Sequence, residues 1–88
     1  HYAEAKLLLE PSLKAAEAYY GKNHLETAKI LNLLGNVYLL EGHLATAESI
    51  LLQALSIFQQ QNHPESYICL ENLAKLKYET FAQSEKQN

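Results

Sequence analysis

Residues 31–38 read Leu-Asn-Leu-Leu-Gly-Asn-Val-Tyr, and this stretch decides the fold of the chain. Leu31, Leu34 and Tyr38 follow one another at the three- and four-residue spacing that places side chains on one face of an α-helix. Gly35 lies between them and, like Ala47 further along, is small enough to let two helices cross closely. The stretch therefore predicts a helix that packs tightly against a neighbouring helix.

The same kind of unit occurs a second time in the chain, which predicts a repeat of about forty residues. Residues 1–5 align with residues 43–47 at an offset of 42 positions, and residues 23–24 align with residues 62–63 at an offset of 39. Apolar positions then match along both alignments: Leu8 with Ile50, Leu9 with Leu51, Leu13 with Leu55, Leu31 with Leu70, and Leu34 with Leu73. Small residues recur in the same way, and we expect each of them to lie where two helices touch: Ala5, Gly35, Ala47 and Ala74.

The spacing of apolar residues, together with glycine, proline and capping residues between the segments, predicts four helices. They lie at residues 2–20, 24–41, 44–60 and 64–84. Gly21 suits the left-handed position that closes the first helix, and Gly42 ends the second. Asn23 with Glu26 forms a predicted capping box, while Asn62 or His63 caps the fourth helix and Pro64 lies in its first turn. No segment alternates apolar and polar residues as a strand does, so the fold class is all-α.

Pro11 falls inside the first predicted helix, where it removes one hydrogen bond and crowds the carbonyl of Leu7. The sequence predicts a kink near residues 7–11, with a break into two helices as the alternative.

Composition excludes several classes of protein. The 88 residues form at most one small domain, and a hydrophobic fraction of 48% is too high for a disordered tail. A net charge of −3 gives no basic surface for nucleic acid, and no apolar run approaches the ~20 residues that span a bilayer. The chain lacks a signal pattern and an initiator Met, so we expect a piece of a longer protein. The single cysteine fits a reducing compartment and favours a cytoplasmic location.

The chemistry-bearing residues do not form a catalytic or metal-binding pattern. The histidines occupy corresponding places, His1 with His43 and His24 with His63, and we interpret them as surface and capping positions. Cys69 falls on the apolar side of the fourth helix, which favours a buried structural thiol. The ten glutamates are scattered over helix surfaces without a converging pair. The sequence therefore predicts no enzyme, no metal and no cofactor.

The pattern Leu31-x-x-Leu34-Gly35-x-x-Tyr38, followed by Ala47-x-x-x-Leu51 and Ala54, resembles the tetratricopeptide repeat. Residues 21–25, Gly-Lys-Asn-His-Leu, look like the loop between the longer, kinesin-light-chain-like repeats of about forty-two residues. Leu31 replaces the signature Trp, and Lys77 stands where the last unit should have Tyr. The resemblance implies an α-solenoid fragment, a right-handed superhelix of antiparallel helix hairpins.

In the register of that family, residues 1–83 comprise the second helix of one repeat, one complete repeat and the first helix of the next. Residues 84–88 form a polar tail that we expect to fray. Both end helices should then expose apolar surface. We expect the isolated chain to be marginally stable or to pair end to end with another copy.

The resemblance also implies that the first helix of each repeat lines a concave groove. The groove-facing candidates are Lys29, Asn32, Asn36, Leu39, Ile68, Glu71, Asn72, Lys75 and Tyr78. One subfamily of these repeats binds a partner's C-terminal carboxylate through Lys, Asn and Arg side chains. This chain resembles that subfamily poorly, because Asn32 stands at its paired Lys position and Arg is absent. Such a carboxylate clamp is therefore disfavoured. Solvated polar surface without a ligand is the other interpretation of these residues.

The leading hypothesis is a non-catalytic scaffold that binds a peptide or partner helix of another protein in the groove, without nucleic acid or membrane partners. The second is a structural or self-association segment whose apolar end faces stack repeats or copies. The third is a regulatory segment of a larger enzyme or transcription factor.

Overall fold

The computed structural model describes residues 1–87, which form four α-helices in sequence. They are α1 (Tyr2–Tyr20), α2 (Leu25–Glu41), α3 (Leu44–Gln60) and α4 (Ser66–Gln87). Consecutive helices pack against each other, and α4 also touches α2. No strand occurs between residues 1 and 87. The predicted all-α fold is confirmed.

Glycines end the first two helices by different conformations. Gly42 is left-handed, with φ 87° and ψ 8°. Its N–H donates to the carbonyl of Leu39 at 3.0 Å, and the N–H of His43 donates to that of Tyr38 at 2.9 Å, as in a Schellman motif. Gly21 has φ 98° and ψ 164°, which corrects the predicted left-handed closure. That region of the backbone is open almost only to glycine, so the residue type is still required.

Histidine, and not asparagine, begins the second helix. The ring Nδ1 of His24 accepts from the backbone N–H of Glu26 at 3.0 Å, so the predicted cap at Asn23 is wrong. His63 accepts from the N–H of Glu65 in the same way at 3.1 Å. A neutral imidazole nitrogen satisfies an unpaired helix donor as a carboxamide oxygen would. His24 therefore caps α2, whereas the bond of His63 is to Glu65 in the turn before α4, so a cap of the fourth helix by His63 stays a prediction.

The first helix contains Pro11 without a break, so the alternative of two separate helices is wrong. The hydroxyl of Ser12, one residue later, donates to the carbonyl of Leu8 at 2.8 Å. The kink near residues 7–11 stays a prediction.

The last helix begins and ends later than its predicted bounds of 64 and 84. Residues 63–65 form a turn in which the N–H of Ser66 donates to the carbonyl of His63 at 3.1 Å, and α4 begins only there. It continues to Gln87 because Glu85, Lys86 and Gln87 are good helix formers. Fraying of this tail stays a prediction, and Asn88 lies outside the described residues.

The core lies mainly between α2 and α3, with α4 closing it. A Cβ built on Gly35 would lie 2.7 Å from Cγ and Cδ2 of Leu51, so the backbone of α2 touches a side chain of α3. Ala47 and Leu51 are fully buried, and Ala5 is half-buried. Ala74 is exposed, which corrects its predicted place in a helix contact. Its position on α4 faces away from α3, and no later helix covers it within residues 1–87.

Candidate partner-binding groove

The second and fourth helices form the two walls of the predicted groove. The side chains that the sequence assigns to this groove belong to these two helices. Their accessibility differs widely. Asn32, Leu39 and Asn72 are buried, Lys29 and Asn36 are half-buried, and Ile68, Glu71, Lys75 and Tyr78 are exposed.

Two of the predicted amides are bonded across the groove. Nδ2 of Asn72 donates to Oδ1 of Asn32 at 3.2 Å, and the thiol of Cys69 donates to the same oxygen at 3.3 Å. Both asparagines are 7% exposed, so these amides tie α4 to α2. Burial raises the pKa of the Cys69 thiol to about 11, which leaves it protonated and structural, as the sequence predicts.

Beyond this buried pair a pocket of about 510 Å³ is lined by residues of both helices. Four of the predicted groove residues line it: Asn36 and Leu39 from α2, and Lys75 and Tyr78 from α4. The others lie outside it, with Lys29 paired to Glu26 at 3.5 Å.

Sequence reasoning missed five residues of this pocket. They are Leu40, Gly42, Leu44, Glu79 and Gln83. A signal for two of them was present, because Glu79 and Gln83 follow Lys75 at successive four-residue steps along one helix face. The pocket therefore combines an apolar wall with both a cationic and an anionic side chain.

A polar network joins the first helix to the second on another side of the molecule. Nζ of Lys6 pairs with the carboxylate of Glu41 at 2.9 Å and lies 5.1 Å from the ring of Tyr38. The hydroxyl of Tyr38 donates to the carboxylate of Glu10 at 2.8 Å, and this bond raises the pKa of Tyr38. Hydrogen bonding to Glu41 likewise raises the pKa of Lys6. These contacts fix the hairpin of α1 and α2.

Lys77 makes the corresponding contact between the third and fourth helices. It occupies the place of Tyr38 in the second unit, and its Nζ pairs with the carboxylate of Glu48 at 2.7 Å. A lysine in place of the signature tyrosine thus preserves a polar link to the preceding helix.

Over residues 1–87 no three histidine, cysteine or carboxylate side chains come together as metal ligands would. Among the four described helices, none has the length and apolar character needed to cross a membrane.

Comparison with known protein families shows what the chain is similar to. A tetratricopeptide repeat profile matches residues 2–60, more than half of the chain, and covers α1, α2 and α3. The curated proteins and the solved structures gave no match. Repeats of this kind generally mediate protein–protein interaction and are typically not catalytic. The chain therefore belongs to the tetratricopeptide repeat family.

Proposed function

We propose that the chain binds an extended peptide segment, or one face of a partner helix, in the pocket between α2 and α4. The observation that carries this proposal is the composition of the pocket. Its lining combines polar side chains from both helices with apolar ones, as in ligand sites that bury a partner and fix its orientation. We infer a non-catalytic scaffold whose partner is another protein.

The polar side chains of the pocket suit a peptide backbone. The carboxamide of Asn36 can both donate to and accept from peptide groups. Lys75 and Glu79 lie one helical turn apart and offer a charge of each sign to the ends or side chains of a partner. Leu39, Leu40 and Leu44 supply the apolar contact that such a partner would bury.

The buried pair Asn32 and Asn72 supports the proposal indirectly. Their hydrogen bond holds the two walls at a fixed separation, so the pocket needs little rearrangement before it binds. This bond also makes Asn32 a poor probe of ligand binding, because its loss would disturb the walls themselves.

The test is selection from a displayed library of random linear peptides, followed by calorimetry with the selected peptides. We expect Lys75→Glu and Asn36→Ala each to weaken binding about tenfold, the equivalent of ~1.4 kcal/mol. Lys22→Glu makes the same charge change in the loop before α2, outside the pocket, and should leave binding unchanged. Failure to select any peptide, or equal losses in Lys75→Glu and Lys22→Glu, would overturn the proposal.

Two finer predictions belong to this proposal. The kinesin-light-chain-like form of the repeat is supported by the offset of 42 positions between residues 1–5 and 43–47. The cytoplasmic location is supported by the single cysteine, whose thiol is free.

A further inference from the structure

Two histidines occupy the same place in the connection from α1 to α2 and in the connection from α3 to α4. His24 precedes α2 and His63 precedes α4, at the offset of 39 positions that relates the two units. In each of them Nδ1 accepts from the backbone N–H two residues later, from Glu26 at 3.0 Å and from Glu65 at 3.1 Å. We call these two hydrogen bonds the histidine bonds. Their recurrence at equivalent positions indicates a property of the repeat.

Each histidine ring also packs on the helix that precedes it. The ring of His24 stacks on that of Tyr20 in α1, with centroids 4.6 Å apart. The ring of His63 lies over that of Phe58 in α3, with centroids 5.3 Å apart. A single side chain thus contacts the end of one helix and bonds the segment that begins the next. The two histidines therefore help to set how α1 joins α2 and how α3 joins α4.

A histidine bond exists only while the imidazole is neutral. Nδ1 accepts through its lone pair, and protonation converts it into a donor that cannot accept. The cation would also lie beside the N–H groups at the start of a helix, where the helix dipole disfavours positive charge. An imidazole without such a bond takes up its proton at about pH 6.5. The unfolded chain then binds the proton more readily than the folded one, so stability falls as pH falls through this range.

The groups that face His24 do not offset its positive charge. The carboxylate of Glu26 is paired with Lys29 at 3.5 Å, and Lys22 adds a further cation to the same connection. The ring of Tyr20 attracts a cation. At an exposed site, however, this attraction is smaller than the combined loss of the bond and repulsion from the helix N-terminus.

The surroundings of His63 offset its charge no better. The neighbouring ring, that of Phe58, does not titrate, and Glu65 contributes its backbone N–H to the histidine bond. Among the described side chains, no carboxylate forms an ion pair with the imidazole of His63 or with that of His24. Protonation of either ring therefore removes a bond without supplying another.

His43 provides the contrast within the same chain. It stands at the N-cap of α3, but its side chain makes no capping bond. Its Nε2 lies 4.0 Å from Oε1 of Glu41, so a protonated ring would gain an ion pair. Protonation of His43 should therefore not destabilise the fold.

We propose that the two histidine bonds make the fold acid-sensitive. Below about pH 6 the imidazoles of His24 and His63 become protonated, the bonds to Glu26 and Glu65 break, and both connections loosen. The backbone hydrogen bonds within the helices do not titrate, so the helices persist while the way they join changes. This loosening is independent of what the pocket between α2 and α4 binds.

The test replaces each histidine by asparagine, whose carboxamide oxygen can accept the same bond and does not titrate. Urea unfolding is followed by helical circular dichroism at about pH 7.5 and about pH 5, on either side of the imidazole range, with a stabilising osmolyte throughout. The unfolding constant of the wild type should rise in acid. His24→Asn and His63→Asn should each remove a factor of about five from this rise, the equivalent of ~1 kcal/mol, and the double variant should remove both factors.

His43→Asn is the matched control, and it should keep the full wild-type rise. The glutamates titrate in every variant, so their contribution cancels when the variants are compared. A second measurement needs no substitution. In nitrogen NMR spectra of the wild type at neutral pH, Nε2 of His24 and of His63 should carry the proton and Nδ1 should not.

Any one of four results would show the proposal to be wrong. The double variant could lose as much stability in acid as the wild type does. Either single asparagine variant could keep the full rise in the unfolding constant. His43→Asn could remove as large a factor as His24→Asn. Lastly, Nδ1 of His24 or of His63 could carry the proton at neutral pH.

Discussion

Gly35→Ala tests whether the close contact of α2 with α3 holds the hairpin together. The new Cβ would lie 2.7 Å from both Cγ and Cδ2 of Leu51 and 3.4 Å from Cγ2 of Ile50. Leu51 is fully buried in the core between α2 and α3. Overpacking of this kind costs about 1–3 kcal/mol, while the gain in helix propensity is about 0.8–1.0 kcal/mol. We expect a net loss of about 1 kcal/mol.

The background Leu51→Ala should reverse the sign of this effect. Without the Leu51 side chain the added methyl group meets no atom at short range, and only the propensity gain of about 1 kcal/mol remains. The assay is urea unfolding followed by helical circular dichroism. It needs a stabilising osmolyte throughout, because Leu51→Ala alone removes ~2–5 kcal/mol.

Ala74→Gly is the matched control at the aligned position of α4. Ala74 is exposed, so the change should cost only the propensity difference of about 1 kcal/mol. Gly35→Ala could instead stabilise the wild type as much as it stabilises Leu51→Ala. The Leu51 side chain would then move away from the new Cβ without a cost in stability. The reasoning about close approach at residue 35 would then fail.

Three further predictions concern polar contacts, and all are measured as changes in the free energy of unfolding. Asn32→Ala leaves two buried donors without an acceptor and should cost about 1–3 kcal/mol, whereas Asn36→Ala at the half-buried pocket position should stay within about 0.5 kcal/mol. His24→Ala removes a side-chain cap and should cost about 1 kcal/mol, while His43→Ala, at an N-cap without a side-chain bond, should be nearly neutral. The raised pKa of Tyr38 means that its neutral form stabilises the fold below the ordinary value of ~10, and that this contribution is lost as pH rises through the raised pKa. Tyr38→Phe should therefore lose less stability than the wild type as pH rises from neutral through the raised pKa of Tyr38, and equal alkaline losses would contradict the assignment.

The helix bounds were largely predictable because their signals are local. The first and third helices occupy residues 2–20 and 44–60, as predicted from spacing, Gly21 and the stripe of small and large apolar residues. The caps were less predictable. Asn23 is the better N-cap by propensity, yet His24 takes the position, where its ring also stacks on Tyr20 with centroids 4.6 Å apart. A propensity scale carries no information about that tertiary contact.

The sequence indicated which helix positions could line the groove, but not which of their side chains are buried and which are exposed. The family resemblance assigned Asn36, Leu39, Lys75 and Tyr78 to the groove, and these four residues line the pocket. It also placed Asn32 there, and the structure instead buries this amide against Asn72. The difference depends on the angle and separation of α2 and α4. Those are set by how α4 packs on α3 through residues such as Leu76, and no single helix encodes them.

Gly35 and Ala74 show that a small residue in a repeat pattern can allow close helix packing without ensuring that it occurs. Both are small residues at the same place in an aligned unit. At Gly35 the chain supplies a neighbouring helix, and Leu51 fills the contact. At Ala74 the described residues supply none, and the side chain is exposed. Because burial is a property of two surfaces, a repeat pattern predicts which faces can pack, and only the presence of a matching partner determines which of them do.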